Sequence, residues 1–202
     1  MKKKIDSIFL DSISVKKLCI EQGLDNIVNI GNEICRLIQS GGKIMLCGNG
    51  GSASDAQHLA AEMLVRLRPD KNREGVAAIS LAQDIATITA CGNDFGYEKL
   101  YERMVATLGK KGDCLIAIST SGNSENVILA MRKAKEMNIK VFGFLGSNGG
   151  EALKFCDEVF LVPSEITGRI QEAHITAGHA LMEYIEDQLI ESGYLNLECL
   201  PC

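Results

Sequence analysis

The sequence predicts an α/β fold, a doubly wound, five-stranded parallel sheet flanked by helices and preceded by a helical N-terminal extension. Three observations predict it. Short apolar runs of strand length recur between residues 43 and 162, each bounded by glycine or polar residues. Helical patterns separate them, and strands that alternate with helices pair in parallel. The chain has 202 residues, of which 46% are hydrophobic, the size and content of one α/β unit.

The elements follow in order. Residues 1–40 read as helix, with Ile8, Val15, Leu18, Ile27, Ile30, Ile34 and Ile38 at helical spacing, and Gly41-Gly42 closes the region. The first strand is Lys43–Cys47, followed by a helix over Ser54–Leu67. Val76–Leu81 is the second strand. Asp84–Cys91 and Tyr97–Leu108 read as helices on either side of a Gly92–Gly96 turn. Cys114–Ile118 is the third strand, and a helix runs from Ser124 to Met137. Lys140–Leu145 and Glu158–Val162 are the fourth and fifth strands, and the last helix spans Gly168–Glu191. The expected organisation is one domain over 1–202, with the α/β core at 41–192 and a tail at 193–202.

Composition narrows the function. A formal net charge of −5 argues against binding nucleic acid or an anionic membrane surface, which calls for a basic face. Anionic small molecules remain admissible, because backbone amides and hydroxyls hold a phosphate without net positive charge. Lys2–Lys4 begins like an export signal, but Asp6 and Asp11 interrupt the apolar region that must follow. No run is long and apolar enough to span a bilayer. Eight cysteines, among them Cys47, Cys91, Cys114 and Cys156 in apolar surroundings, read as reduced thiols, so the expected location is cytoplasmic. Cys199 and Cys202 form a C-x-x-C with no second pair to complete a tetrahedral site.

In a doubly wound sheet ligands bind beyond the carboxyl ends of the strands. The loop after the first strand is Gly48-Asn49-Gly50-Gly51-Ser52-Ala53-Ser54. Its glycines let backbone N–H groups approach an anion at a helix N-terminus. It is neither the dinucleotide pattern nor a Walker A loop. A glycine-rich turn with a serine helix cap explains it equally well. The loop after the third strand is Ser119-Thr120-Ser121-Gly122-Asn123-Ser124. One hydroxyl suffices for an N-cap, so the other three are surplus and suit the oxygens of a phosphate.

These two loops together resemble the sugar isomerase (SIS) domain, which cradles a sugar phosphate in the serine loop. Cys47–Ser52, Gly92-Asn93-Asp94-Phe95-Gly96 and Arg169-Ile170-Gln171-Glu172 are similar to the phosphoheptose isomerases in particular. The resemblance implies interconversion of D-sedoheptulose 7-phosphate and D-glycero-D-manno-heptose 7-phosphate through an enediol. That step opens heptose synthesis for bacterial surface polysaccharide, whether lipopolysaccharide or capsule. The implied sugar-phosphate contacts are Asn49, Gly50, Gly51, Ser52, Glu62, Asn93, Asp94, Ser119, Thr120, Ser121, Ser124 and Gln171. A homotetramer with active sites between subunits is implied as well.

His58 and Glu62 lie four apart on the helix after the glycine loop and share one face. Gln171 and His179, eight apart on the last helix, are about 80° apart at about 100° per residue. Two His, one Glu and one Gln carbonyl oxygen make a plausible N/O set for zinc. A His–Glu pair at this spacing is also the pattern of a half-buried hydrogen bond. The resemblance places all four at the family's zinc positions, one ion per subunit, with Glu62 and His179 as the acid–base pair. His174, 140° round the helix from His179, reads as a packing or interface residue, and Glu172 as a structural partner of Arg169 or of another subunit. Gly168 stands where some members carry Asp. A second class resembles the same family: non-catalytic proteins that assemble on the DnaA replication initiator. They lack the acidic residue at position 62 and the His at position 179, both present here.

Overall fold

A computed structural model describes residues 1–197; Cys199 and Cys202 lie outside the described residues. The helical extension is two helices, α1 (Lys2–Glu21) and α2 (Asp25–Gln39), not one. The break falls at Gly23, whose φ of +89° is a left-handed conformation that glycine adopts without penalty. The apolar periodicity runs through this point, so spacing alone does not reveal it. In α2, Ile27, Ile30, Ile34 and Ile38 recur at helical spacing and are all buried.

The sheet contains β1 (Ile44–Gly48), β2 (Ala78–Ser80), β3 (Cys114–Ser119), β4 (Lys140–Gly146) and β5 (Glu158–Val162). All pair in parallel, in the order β2-β1-β3-β4-β5. The central strands β1 and β3 are buried along their whole length, as expected of strands covered on both faces. Side chains alternate between two cores. Ile44, Leu46, Ile116, Ile118, Phe142 and Phe144 face one core, with α2 and the last helix, α7 (Thr167–Glu191). Met45, Cys47, Leu115, Ala117, Val141 and Leu145 face the other. That core is closed by α5 (Leu100–Leu108) and α6 (Glu125–Glu136).

Several element boundaries differ from expectation; the Ser54–Leu67 helix ends at Leu64, and the Tyr97–Leu108 helix is α-helical only from Leu100, after a 3-10 turn over Tyr97–Lys99. β2 keeps only three residues, because the Val76 N–H bonds to the Met63 carbonyl of α3 (Gly51–Leu64) and not to a strand. That helix starts at Gly51 rather than Ser54. Helix α4 (Ile85–Asp94) runs through Gly92 and Asn93, so these residues form its last turn and not a separate loop. Asp84 caps its start, accepting from the N–H groups of Ala86 and Thr87 at 3.2 and 3.1 Å. Among the described residues no helix is long and apolar enough to cross a membrane.

The strand order reverses between β1 and β3: the chain leaves β1 for β2 on one side and later returns to β3 on the other. A crevice opens at such a switch point, beyond the strand ends. Gly48 pairs with Ile118 there, so the glycine loop and the serine loop leave the sheet side by side.

Candidate active site

Each loop at the crevice feeds a helix N-terminus, α3 after the glycine loop and α6 after the serine loop. Both helices therefore aim the positive end of their dipole at the crevice. Gly50 takes the N-cap position of α3 at φ +57°, and no side chain caps this end. The reading of the loop as a serine-capped turn is thereby corrected. Ser124 occupies the N-cap of α6 but makes no side-chain cap bond either. Its Oγ instead lies 3.5 Å from Ser119 Oγ. Ser119 Oγ accepts the Gly122 N–H and Ser121 Oγ accepts the Asn123 N–H, each at 3.1 Å. In these bonds the hydroxyl oxygens act as acceptors, which leaves their O–H protons to point at a ligand.

His58 and Glu62 project from α3 and His179 from α7. Nε2 of His58 and Nε2 of His179 lie 2.7 Å apart, and Nε2 of His58 lies 3.3 Å from Oε1 of Glu62. One ligand atom from each of the three falls within 4.8 Å of the others. The lack of a side chain at Gly178 lets the two helices come together: a methyl group there would lie 2.6 Å from Leu59 on α3. The donor set suits zinc. Two imidazole nitrogens about 2.0–2.1 Å from one ion sit about 3.3 Å apart in a tetrahedron, a small side-chain rotation from the separation seen. The His58 side chain is 47% exposed and that of Glu62 15%, so the cluster opens to solvent on one side.

Gln171 lies over the start of the same helix: a methyl group on Gly51 would come within 2.6 Å of its Nε2. Asn93 and Asp94 are exposed and bond to each other, Asn93 Nδ2 donating to Asp94 Oδ1 at 2.7 Å. Three residues on, Tyr97 Oη donates to Asn49 Oδ1 at 2.9 Å, which ties this segment to the glycine loop. Thr120 is half-buried. His174 stands apart from the cluster, buried against Phe144 and Phe160. Glu172 accepts from Arg169, whose other guanidinium nitrogen donates to the Ile8 carbonyl of α1 at 2.5 Å.

Two charged residues of this region were not singled out from the sequence. Asp55, one turn before His58, has its Oδ2 buried with no hydrogen-bond partner among the described residues. Burial raises its carboxyl above the usual range, and His58 and His179 pull it back. Its i−3 spacing from His58 was the available signal. Arg73 is fully buried and donates to the carbonyls of Glu62 and Met63, at 2.9 and 3.0 Å, where α3 ends. Nothing in its sequence context marks it.

The profile of the SIS domain matches residues 9–146, more than half the chain. The chain belongs to the SIS domain family. Within that family it groups with the phosphoheptose isomerases. It is 44% identical to the phosphoheptose isomerase of Clostridium acetobutylicum over 191 residues, which cover 94% of this chain and 96% of the relative. The structure of the Neisseria gonorrhoeae phosphoheptose isomerase superposes with a TM-score of 0.86 at 36% identity, covering 92% of this chain and 98% of that one. The Francisella tularensis phosphoheptose isomerase gives 0.87 at 34% identity, with 92% and 97% covered. These SIS-domain relatives extend the likeness through α7, which the profile match does not reach.

Proposed function

We propose that this chain converts D-sedoheptulose 7-phosphate to D-glycero-D-manno-heptose 7-phosphate. One observation carries the reading: a carboxylate and two imidazoles, Glu62, His58 and His179, converge beside a serine-rich phosphate cradle at the switch point of the sheet. The phosphate end of the sugar would lie against Ser119, Thr120, Ser121 and Ser124, with Asn49, Gly50, Gly51 and Ser52 closing the other side. Asn93, Asp94 and Gln171 would serve the sugar hydroxyls.

Ketose-to-aldose conversion removes a proton from C1, passes through an enediol, and returns a proton to C2. One carboxylate between the two carbons performs both transfers, and Glu62 is assigned that role. His179 would move protons among O1, O2 and the ring oxygen. His58, Glu62, Gln171 and His179 would hold one zinc ion per chain. Bound zinc supplies a Lewis acid that polarises a carbonyl oxygen. Glu62 cannot hold a metal tightly and act as a free base at one instant, so its role implies that it alternates between the two.

The oligomer expected is a homotetramer. The support is the outer face of α1, where Phe9 and Leu10 stand 67% and 64% exposed beside Ile5 and Ile13. A surface of that kind on a monomer marks an interface. We read the whole chain as one SIS unit acting in the cytoplasm, upstream of lipopolysaccharide or capsule assembly. Neither nucleic acid nor membrane is an expected partner. The DnaA-binding alternative is set aside, since Glu62 and His179 are both present and the relatives described above are isomerases. The test is direct: incubate the purified protein with sedoheptulose 7-phosphate and look for an aldose phosphate.

A further inference from the structure

Asn49 and Asn126 exchange both of their side-chain hydrogen bonds. Asn49 Nδ2 donates to Asn126 Oδ1 and Asn126 Nδ2 donates to Asn49 Oδ1, each at 2.8 Å. The orientation of the pair is not arbitrary. The Val127 N–H, which also donates to the Ser124 carbonyl at 3.1 Å, points at the Asn126 side chain at 2.9 Å, where an oxygen accepts it and an NH2 group would oppose it. That fixes Asn126 Nδ2 toward Asn49, which in turn must present its own oxygen. Tyr97, meeting that same oxygen at 2.9 Å, can only donate. A carboxamide oxygen has two lone pairs, and here both are taken. Asn49 therefore has no side-chain acceptor left for a ligand; it offers one N–H and its backbone.

The three residues belong to the three segments expected to touch the substrate. Asn49 is in the glycine loop, Asn126 follows Ser124 by two on α6, and Tyr97 follows Asp94 by three. Asn126 is 4% exposed, so its amide is a buried group whose bonds are costly to break. Among the described residues no hydrogen bond joins Tyr97 to Asn126; they meet through Asn49.

We infer that Asn126 and Tyr97 are positioning residues for the isomerisation. They clamp the Asn49 carboxamide from two sides. This sets the distance between the glycine loop, the serine loop and the Asn93–Asp94 segment, and thus the length of sugar phosphate the crevice accepts. The inference rests on the isomerase reading above and gives the Asn49 carboxamide a positioning role beside the one N–H it can still offer a ligand.

The test is a double-mutant cycle on Tyr97→Phe and Asn126→Ala, each of which removes a donor to Asn49 Oδ1 without adding a charge beside the phosphate cradle. Turnover of sedoheptulose 7-phosphate and the thermal midpoint are measured on the same samples. Each single variant should raise KM about three- to tenfold, the weight of one hydrogen bond, with kcat within about twofold. Because both donors serve one oxygen, the double variant should depart from the product of the two effects by about threefold or more. A purely structural role would lower the midpoint and leave KM of the folded enzyme alone. Unchanged KM in both variants, or strictly independent effects, overturns the inference while the isomerase reading stands. If Asn126→Ala does not fold, Tyr97→Phe, on an exposed residue, decides by its KM alone. Absence of turnover in the unmodified chain would overturn both readings.

Discussion

Arg73 and Glu186 form an ion pair fully removed from solvent, with Nε and Oε1 2.6 Å apart. The pair joins the end of α3, where Arg73 also holds the Glu62 and Met63 carbonyls, to α7, seven residues beyond His179. Arg68 reaches the other oxygen of Glu186 at 2.6 Å and also bonds Asp187. The two helices that carry the histidine–glutamate cluster are thus fixed to each other behind it.

Arg73→Met should therefore destabilise the fold. Removing one partner of a buried pair costs about 3–5 kcal/mol, and since Arg68 still faces Glu186 the lower end, about 3 kcal/mol, is expected. Urea unfolding at fixed protein concentration reads this directly. A loss below about 1 kcal/mol would show that the pair is replaceable.

Ser119→Ala and Ser121→Ala should weaken substrate binding, each lost bond to a charged phosphate costing about 1.5–3 kcal/mol. Ser119→Ala should show the larger effect, because its Oγ also holds the Gly122 N–H and the residue is 4% exposed. Calorimetric titration with sedoheptulose 7-phosphate measures both. Unchanged affinity in both would put the phosphate elsewhere.

Gly51→Ala separates function from stability. The added methyl would lie 2.6 Å from Gln171 Nε2, the far end of a flexible side chain, and Gly51 itself has an ordinary helical backbone. Gln171 can swing aside, so the thermal midpoint should hold while zinc affinity falls, about tenfold for the displacement of one ligand. Zinc affinity equal to that of the unmodified chain would remove Gln171 from the ligand set.

His174 should impose an acid limit on stability. Burial pushes its pKa from 6.5 down to about 4, the Leu145 backbone opposing only in part. The unfolded chain takes up a proton below about pH 6.5 while the folded chain does not, so stability is lost as pH falls from about 6.5 to 4. The slope approaches about 1.4 kcal/mol per pH unit. His174→Leu should flatten the unfolding midpoint across this window. An unaltered acid profile would assign the limit to other groups.

The sheet was legible because its five strands are short apolar runs with glycine or polar bounds, a pattern that survives any packing. The break at Gly23 was not, since apolar spacing continues across it and only the positive φ reveals the turn. The Gly92–Asp94 stretch read as a turn from its composition, yet the Asp84 cap and the helix it starts carry through it. In the site, the His58–Glu62 pair follows from helical spacing alone. Its meeting with His179, 121 residues away, depends on the close contact of Gly178 with Leu59, which no local pattern encodes. Asp55 and Arg73 went unread because a charged residue on a helix or in a loop is ordinarily solvated.

The most direct test of the account is turnover of sedoheptulose 7-phosphate by three samples with zinc measured in each: zinc-replete protein, chelator-stripped protein, and zinc-replete Glu62→Gln. The account predicts an aldose phosphate from the first, recovery of the second by added zinc, and loss of several orders of magnitude in the third with zinc and substrate still bound. No aldose phosphate from the zinc-replete chain, or full turnover in metal-free protein, would contradict it.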